Sequence, residues 1–229
     1  MSDTVIRVEN VSKIYGAGDA STAALTNVNL TVERGAWLAI MGPSGHGKST
    51  LLQIMGGLDR PTAGCVHLDG TELTALAPNA LARARAEEIG FVFQFFNLLP
   101  HLTALENIQM ALWFGGSESN AGKKRALALL DAVGLTGKAH FFPSMLSGGQ
   151  QQRVAIARAL ANEPGVLLMD EPSGNLDSAS EAELLQLLKR LHTEGKTIVM
   201  VTHNAAVATH AQRVVRVKDG RIEEAANAD

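Results

Sequence analysis

The residues with the most chemistry to offer are Gly42-Pro43-Ser44-Gly45-His46-Gly47-Lys48-Ser49-Thr50. Two glycines spaced five apart and followed by Lys and Ser form a loop whose consecutive backbone N–H groups can cradle nucleotide phosphates at a helix N-terminus. Glycine lets the backbone approach a phosphate closely. Lys48 supplies a compact positive charge for the β and γ phosphates, and the Ser49 hydroxyl is a ligand for Mg²⁺. The flanks agree with this reading, since the apolar run Trp37 to Met41 precedes the loop and the helix-like Leu51-Leu52-Gln53-Ile54-Met55 follows it. The segment predicts strand, phosphate loop and helix, and hence nucleotide binding.

Two further runs carry chemistry. Val166-Leu167-Leu168-Met169-Asp170-Glu171-Pro172 is an apolar stretch ending in two acids, the pattern of a buried strand delivering carboxylates to the C-terminal edge of an open α/β sheet, where ligands bind. Next to a phosphate loop, Asp170 would help hold Mg²⁺ and Glu171 would polarise the water that attacks the γ-phosphate. Leu146-Ser147-Gly148-Gly149-Gln150 opens a second helical run, Gln151 to Leu160. Its small residues and free N–H groups read as a second anion site, or equally as an ordinary helix cap with Ser147 as the capping residue.

The elements that must position these residues are legible as alternating patterns. Strand-like segments recur at Val5 to Val8, Val28 to Val32, Trp37 to Met41, Cys65 to Leu68, Gly90 to Phe93, Val166 to Met169, Thr197 to Thr202 and Arg213 to Val217. Helical stripes lie between the later strands. Glu181 to His192 aligns Leu184, Leu187, Leu188 and Leu191, and Lys123 to Val133 aligns Leu127, Leu130 and Val133. Strands alternating with helices predict a parallel sheet covered on both faces. Pro100 to Ala161 reads as helical without a strong strand, and the polar tail Glu223 to Asp229 is expected to fray.

Composition bounds the remaining choices. A chain of 229 residues with 46% hydrophobic content can bury an ample core without disulfides, and its one cysteine, Cys65, has no internal partner. Cys65 reads as a small buried residue, and no Cys/His cluster has zinc-ligand spacing. A net charge of −3 argues against a nucleic-acid partner. The N-terminus lacks the pattern of a signal peptide, and no run approaches the length of a membrane span.

Taken together, the phosphate loop, the acidic strand end and Leu146-Ser147-Gly148-Gly149-Gln150 resemble the ATP-binding cassette ATPases, whose signature is Leu-Ser-Gly-Gly-Gln. The resemblance covers nearly the whole chain. It implies an α/β P-loop NTPase fold with a RecA-like parallel sheet core, an N-terminal antiparallel β subdomain and an α-helical subdomain at about residues 100–161, in one nucleotide-binding domain over 1–229. It implies ATP and Mg²⁺, with ATP held by Tyr15, Gly42, Pro43, Ser44, Gly45, His46, Gly47, Lys48, Ser49 and Thr50. Tyr15 would stack on adenine. Gln94 would reach Mg²⁺ and the attacking water, so that Ser49, Gln94 and Asp170 form the metal set. Glu171, His203, Gln94 and Lys48 would carry catalysis, with His203 on the γ-phosphate. Ser147, Gly148, Gly149, Gln150 and Asp177 would contact the ATP held by a second chain.

That family works as pairs, so the resemblance implies a homodimer or a related second cassette, closed by ATP binding and released by hydrolysis. Gly56-Gly57-Leu58-Asp59, Asn97-Leu98-Leu99-Pro100, Thr103-Ala104-Leu105-Glu106-Asn107 and Ser173-Gly174-Asn175-Leu176-Asp177 point to the bacterial lipoprotein-release and macrolide-export branch. Its members drive separate transmembrane permease subunits and, through them, periplasmic components, from the cytoplasmic side of the inner membrane. The segment Phe95 to Glu106 is the expected coupling surface, with Phe95, Phe96 and Leu98 exposed. Two positions depart from the family, His46 where serine is common and Asn204 where aspartate is usual. A soluble cassette ATPase acting on DNA or ribosomes is the alternative. A small-molecule kinase would leave the signature, Gln94 and His203 without a role.

Overall fold

Residues 3–117 and 119–223 are described by the computed structural model. In chain order it contains β1 (Thr4–Tyr15), β2 (Thr22–Glu33), β3 (Trp37–Met41), α1 (Lys48–Met55), β4 (Ala63–Leu68), β5 (Thr71–Glu72), α2 (Pro78–Glu88), β6 (Ile89–Phe93) and α3 (Ala104–Phe114). These are followed by α4 (Ser119–Ala132), α5 (Gly148–Ala159), β7 (Val166–Asp170), α6 (Ser178–Thr193), β8 (Thr197–Val201), α7 (Ala205–Ala208), β9 (Arg213–Lys218) and β10 (Arg221–Glu223). The chain forms two compact units. One comprises the residues up to Leu81 and those from Gly195 onward, and the other is Ala82–Glu194. The tail beyond Glu223, predicted to fray, lies outside the described residues.

The first unit holds an antiparallel sheet in the order β2-β1-β4-β5. Val28, Leu30 and Val32 alternate with exposed Asn29, Thr31 and Glu33, the pattern of a strand with one buried face. Both β1 and β2 run further than the sequence predicts. Asn10 and Asn27 lie beyond the predicted bounds, and each sits at φ 49° inside its strand. The register shifts between Val8 and Val11, so the extra residue is absorbed as a bulge. In the same unit β3 pairs in parallel with β8 on one side and β9 on the other. Leu38, Ala39, Ile40 and Val199, Met200, Val201 are all buried, which is why these strands read as continuous apolar runs rather than alternating ones.

Cys65 departs from expectation. It is half-buried, not buried, because its side chain projects from the face of β4 opposite Val66, and its Sγ donates to Glu9 Oε2 at 3.4 Å.

In the second unit β6 and β7 pair in parallel, from Ile89↔Val166 to Phe93↔Asp170. Residues 100–161 contain α3, α4 and α5 and, among the described residues, no strand. Each of three helices starts on a side-chain cap: Thr103 with Glu106 for α3, Ser147 with Gln150 for α5, and Asp177 for α6. The α6 stripe of Leu184, Leu187, Leu188 and Leu191 is buried as predicted. The α4 stripe is different: Leu127 is 37% exposed, and Ala126, Leu129, Leu130 and Val133 face inward. Those four follow the i, i+3, i+4, i+7 spacing of one helix face, whereas steps of three drift off it.

This contrast gives a test of α4. Leu130→Ala should lower stability by about 3 kcal/mol, since it empties a fully buried site, while Leu127→Ala should cost less than about 1 kcal/mol. Urea unfolding of the two variants beside the parent measures both.

Candidate functional site

The phosphate loop joins β3 to α1 and its backbone is fixed by contacts that only glycine permits. Gly42 has φ 143°, and a Cβ there would lie 2.0 Å from the Val217 carbonyl oxygen of β9. Gly47 has φ 97°, and its Cβ would lie 2.3 Å from the Ala24 carbonyl oxygen of β2. Around Gly45, by contrast, no atom comes within 4 Å of an added Cβ, so the loop is open there. Gly47 is the N-cap of α1, and no side chain caps that helix. Its first N–H groups carry the positive end of the helix dipole. Lys48 is buried and its ammonium donates to Pro43 O at 2.7 Å. A neutral carbonyl does not offset that charge, so loop and lysine fit an anion such as a triphosphate.

His46 proves to be a tether. Its Nδ1 accepts the Asp219 N–H at 2.9 Å and lies 3.1 Å from Asp219 Oδ1, while its carbonyl accepts the Gly220 N–H at 3.2 Å. Asp219 and Gly220 form the β9–β10 turn at φ 49° and 71°, and Gly220 O in turn accepts the Thr26 N–H at 2.8 Å. The loop, the hairpin turn and β2 are thus laced together. Asn204, the other departure, caps α7 by accepting the Ala206 N–H at 2.9 Å, a task that Asn performs about as well as Asp. His203 is exposed at the end of β8, and both it and Gly42 lie two residues beyond the paired rung Ile40↔Val201.

Tyr15 ends β1 and is 43% exposed. Its hydroxyl donates to Asp59 Oδ2 at 2.7 Å and also bonds the Thr50 side chain at the start of α1, which ties the ring to the phosphate loop. Lys13 Nζ lies 4.8 Å from the ring centroid and donates to Asp59 Oδ1 at 2.7 Å. Burial raises the Tyr15 pKa, and the bond to Asp59 adds to that. For Asp59 burial also acts upward, but the bonds from Lys13, Tyr15 and the Arg60 N–H outweigh it and hold the carboxyl below its usual range.

The second unit gathers the remaining candidates. Asp170 closes β7 and Glu171 follows at φ 47°, in the left-handed region, where its carbonyl accepts the Gly174 N–H at 3.0 Å. Such a backbone in a non-glycine residue costs of order 1 kcal/mol and is common where a side chain must be aimed. Gln94 follows β6 beside this turn: Asn175 Nδ2 donates to Gln94 O at 3.0 Å, and a Cβ on Gly174 would sit 2.9 Å from Gln94 Nε2. Ser147 accepts the Gln150 N–H at 3.3 Å, and Gln150 Oε1 accepts the Ser147 N–H at 3.1 Å. The cap foreseen at this helix start is therefore present; of its small residues Ser147 is exposed, Gly148 half-buried and Gly149 buried. A Cβ on Gly149 would strike Ser180 Oγ at 2.4 Å, and Ser180 N–H and Oγ both donate to Asp177. The Ser180 backbone bond holds the Asp177 carboxyl below its usual range.

Three supports escaped the sequence. Arg158 donates to Phe96 O at 2.8 Å and to Asn97 O, fixing the left-handed residues after Gln94, and burial pushes its pKa down. Gln152 Nε2 donates to Pro172 O at 2.6 Å, and Ser180 joins Gly149 to Asp177. None carries a motif of its own. Their only signal was polarity on a helix face that packs inward. The exposed segment after Gln94 also differs in detail: Phe95 is 72% exposed, whereas Phe96 and Leu98 are half-buried. Phe96 is covered because its ring lies against Gly148.

The phosphate loop, Tyr15 and His203 thus belong to the first unit, and Gln94, Asp170, Glu171, Ser147 to Gln150 and Asp177 to the second. Ser49, Gln94 and Asp170 offer hard oxygen donors, the type that Mg²⁺ takes.

A parallel strand, a glycine-locked phosphate loop at an uncapped helix start and an acid-tipped second strand define the class of P-loop nucleotide-binding proteins. The ABC transporter family profile matches residues 25–174. The chain is 50% identical to an uncharacterised ABC transporter ATP-binding protein of Thermotoga maritima, over 96% of this chain and 94% of that one. It is 48% identical to the macrolide export ATP-binding/permease protein MacB of Escherichia coli over 95% of its own length, but spans only 34% of MacB. Among solved structures it is similar to the dimeric ATP-binding cassette MJ0796 bound to ADP and Pi, with a TM-score of 0.90 and 46% identity over 97% of this chain and 98% of that one. The chain belongs to the ABC transporter family as an ATP-binding cassette, an ATP-hydrolysing nucleotide-binding subunit.

The Asp59 cluster supports Tyr15 through charge, and this makes its contribution pH-dependent. A carboxyl whose folded pKa is depressed adds stability above its unfolded pKa and loses it as pH falls through the folded value. Asp59→Asn should therefore cost about 1 kcal/mol at neutral pH, and the deficit should vanish under acid conditions. Melting curves of parent and variant from neutral to low pH measure the convergence.

Proposed function

We propose that the chain acts as a homodimer that closes around two ATP molecules, each held by the phosphate loop of one chain and by Ser147 to Gln150 and Asp177 of the other. The observation that carries this reading is the glycine-locked loop at the uncapped start of α1, with buried Lys48 beneath it. The dimeric state of MJ0796 supports the pairing. In this reading Pro43, Ser44, Gly45, His46 and Gly47 line the phosphates with backbone atoms, and Thr50 and Tyr15 meet the adenosine end. The partly exposed ring of Tyr15, anchored at its hydroxyl, supports stacking on adenine.

Ser49, Gln94 and Asp170 would hold Mg²⁺, which when bound neutralises charge on the β and γ phosphate oxygens. Lys48 places a second positive charge on the same oxygens. Glu171 accepts a proton from the attacking water, His203 donates a hydrogen bond to the γ-phosphate, and Gln94 orients the water from the adjoining turn. The left-handed backbone at Glu171 and the Asn175 bond to Gln94 are consistent with two side chains aimed at one point.

No helix among the described residues is long and apolar enough to cross a membrane. By analogy with MacB, whose name joins an ATP-binding part and a permease, the cassette is assigned to the cytoplasmic side of a bacterial inner membrane, bound to separate permease subunits. Exposed Phe95 and Leu99 in the loop after Gln94 support that loop as the coupling surface.

Glu171→Gln keeps shape but removes the base. It should retain ATP, abolish turnover and accumulate as a dimer during size-exclusion chromatography with ATP and Mg²⁺. A monomer under saturating nucleotide would contradict the proposal.

A further inference from the structure

The outer face of the antiparallel sheet brings together three side chains that the nucleotide chemistry leaves unused. Among the described residues, Glu9, Cys65 and His67 form a group whose ligand atoms all lie within 4.8 Å of one another. Cys65 and His67 stand two apart on β4 and so share a face, and the antiparallel register Glu9↔Cys65 places the carboxylate directly across on β1. Glu9 Oε2 is the common point, 3.4 Å from Cys65 Sγ and 4.0 Å from His67 Nδ1, while Arg7 Nε engages the other oxygen at 3.1 Å. His67 Nδ1 is buried and makes no hydrogen bond, an arrangement that costs about 1–3 kcal/mol unless a partner arrives.

We propose that Glu9, Cys65 and His67 form a binding site for a borderline-soft divalent cation, Zn²⁺ in the first instance, that pins β1 to β4. Zinc binds thiolate sulfur at about 2.3 Å, imidazole nitrogen at about 2.0–2.1 Å and carboxylate oxygen at about 2.0–2.2 Å, so tetrahedral ligation sets neighbouring donors about 3.3–3.6 Å apart. The sulfur to oxygen distance already meets that, and the nitrogen, 4.0 Å from the oxygen and within 4.8 Å of the sulfur, needs to close by about an ångström. One thiolate, one imidazole and one carboxylate select zinc over the hard cation of the nucleotide site. Glu72 of β5, paired opposite His67, offers a second carboxylate for the fourth position. Binding displaces the thiol proton of Cys65 to solvent. In the metal-free state burial and the neighbouring Glu9 hold that thiol protonated, so uptake is accompanied by proton release. The spacing of Cys65 and His67 in sequence is too sparse to read as a zinc motif, because the third ligand comes from another strand.

The test uses the full chain, stripped with chelator, free of nucleotide and titrated with Co²⁺. Because Cys65 is the single cysteine, a thiolate-to-cobalt charge-transfer band reports this site alone. A saturable band that Zn²⁺ displaces is expected, absent in Cys65→Ser, with Co²⁺ affinity reduced about tenfold or more in His67→Gln and in Glu9→Gln. Zn²⁺ should raise the melting temperature of the parent by mass action and leave that of Cys65→Ser unchanged. No thiolate band in the parent, or unchanged affinity in folded His67→Gln and Glu9→Gln, would overturn the site. Nucleotide-free metal binding and melting do not depend on the ATP-driven dimer, so either conclusion can fail without the other.

Discussion

The phosphate loop works only because its backbone is held where no side chain can follow. At Gly42 and Gly47 an added Cβ would meet carbonyl oxygens of Val217 and Ala24 at 2.0 and 2.3 Å, contacts that cannot relax without moving β9 or β2. Those strands are themselves fixed: β9 by pairing with β3, and β2 by its ladder to β1. The loop is therefore an outcome of the first unit's sheets. Its open face and its uncapped helix start follow from the same placement, and they give the site an affinity for phosphate before any ligand is present.

The same economy appears in the second unit, where single residues serve both fold and site. Ser147 caps α5 and lies at the head of the signature, Asp177 caps α6 and lies in the loop assigned to the neighbouring chain, and Gly149 must be glycine because Ser180 fills its side. Arg158 holds the loop after Gln94 by its carbonyls, so the segment assigned to coupling is anchored to the helix that carries the signature. His46, unusual for its family, anchors the phosphate loop to the β9–β10 turn through its ring and its carbonyl.

Much of this was legible in the sequence, for local reasons. Trp37 to Met41, buried on both faces as far as Ile40, read as a strand to the residue, and the four leucines of α6 repeat at a helix period that no strand could share. What escaped depends on pairs far apart in the chain. The first two strands run past their predicted bounds through bulges at left-handed Asn10 and Asn27, and Leu127 looked like core because the stripe was counted from the wrong leucine. The His46 to Asp219 contact spans 173 positions and the Cys65 to Glu9 contact spans 56, so neither has a spacing to recognise. Sequence displays the residues that touch the nucleotide more readily than those that hold them.

In the proposed dimer two chains share each ATP. Ser147→Arg and Lys48→Ala chains, mixed, create a dimer in which one composite site carries both defects and the other carries neither. Losing the α5 cap costs about 1 kcal/mol, too little to unfold the chain. The direct measurement is bound ATP, for the Ser147→Arg monomer and for the mixed dimer. Near-parental binding by the monomer, with one tightly held ATP per mixed dimer, is the expected result. Loss of ATP binding by the folded Ser147→Arg monomer would show that the signature serves its own chain's loop, and would contradict the account.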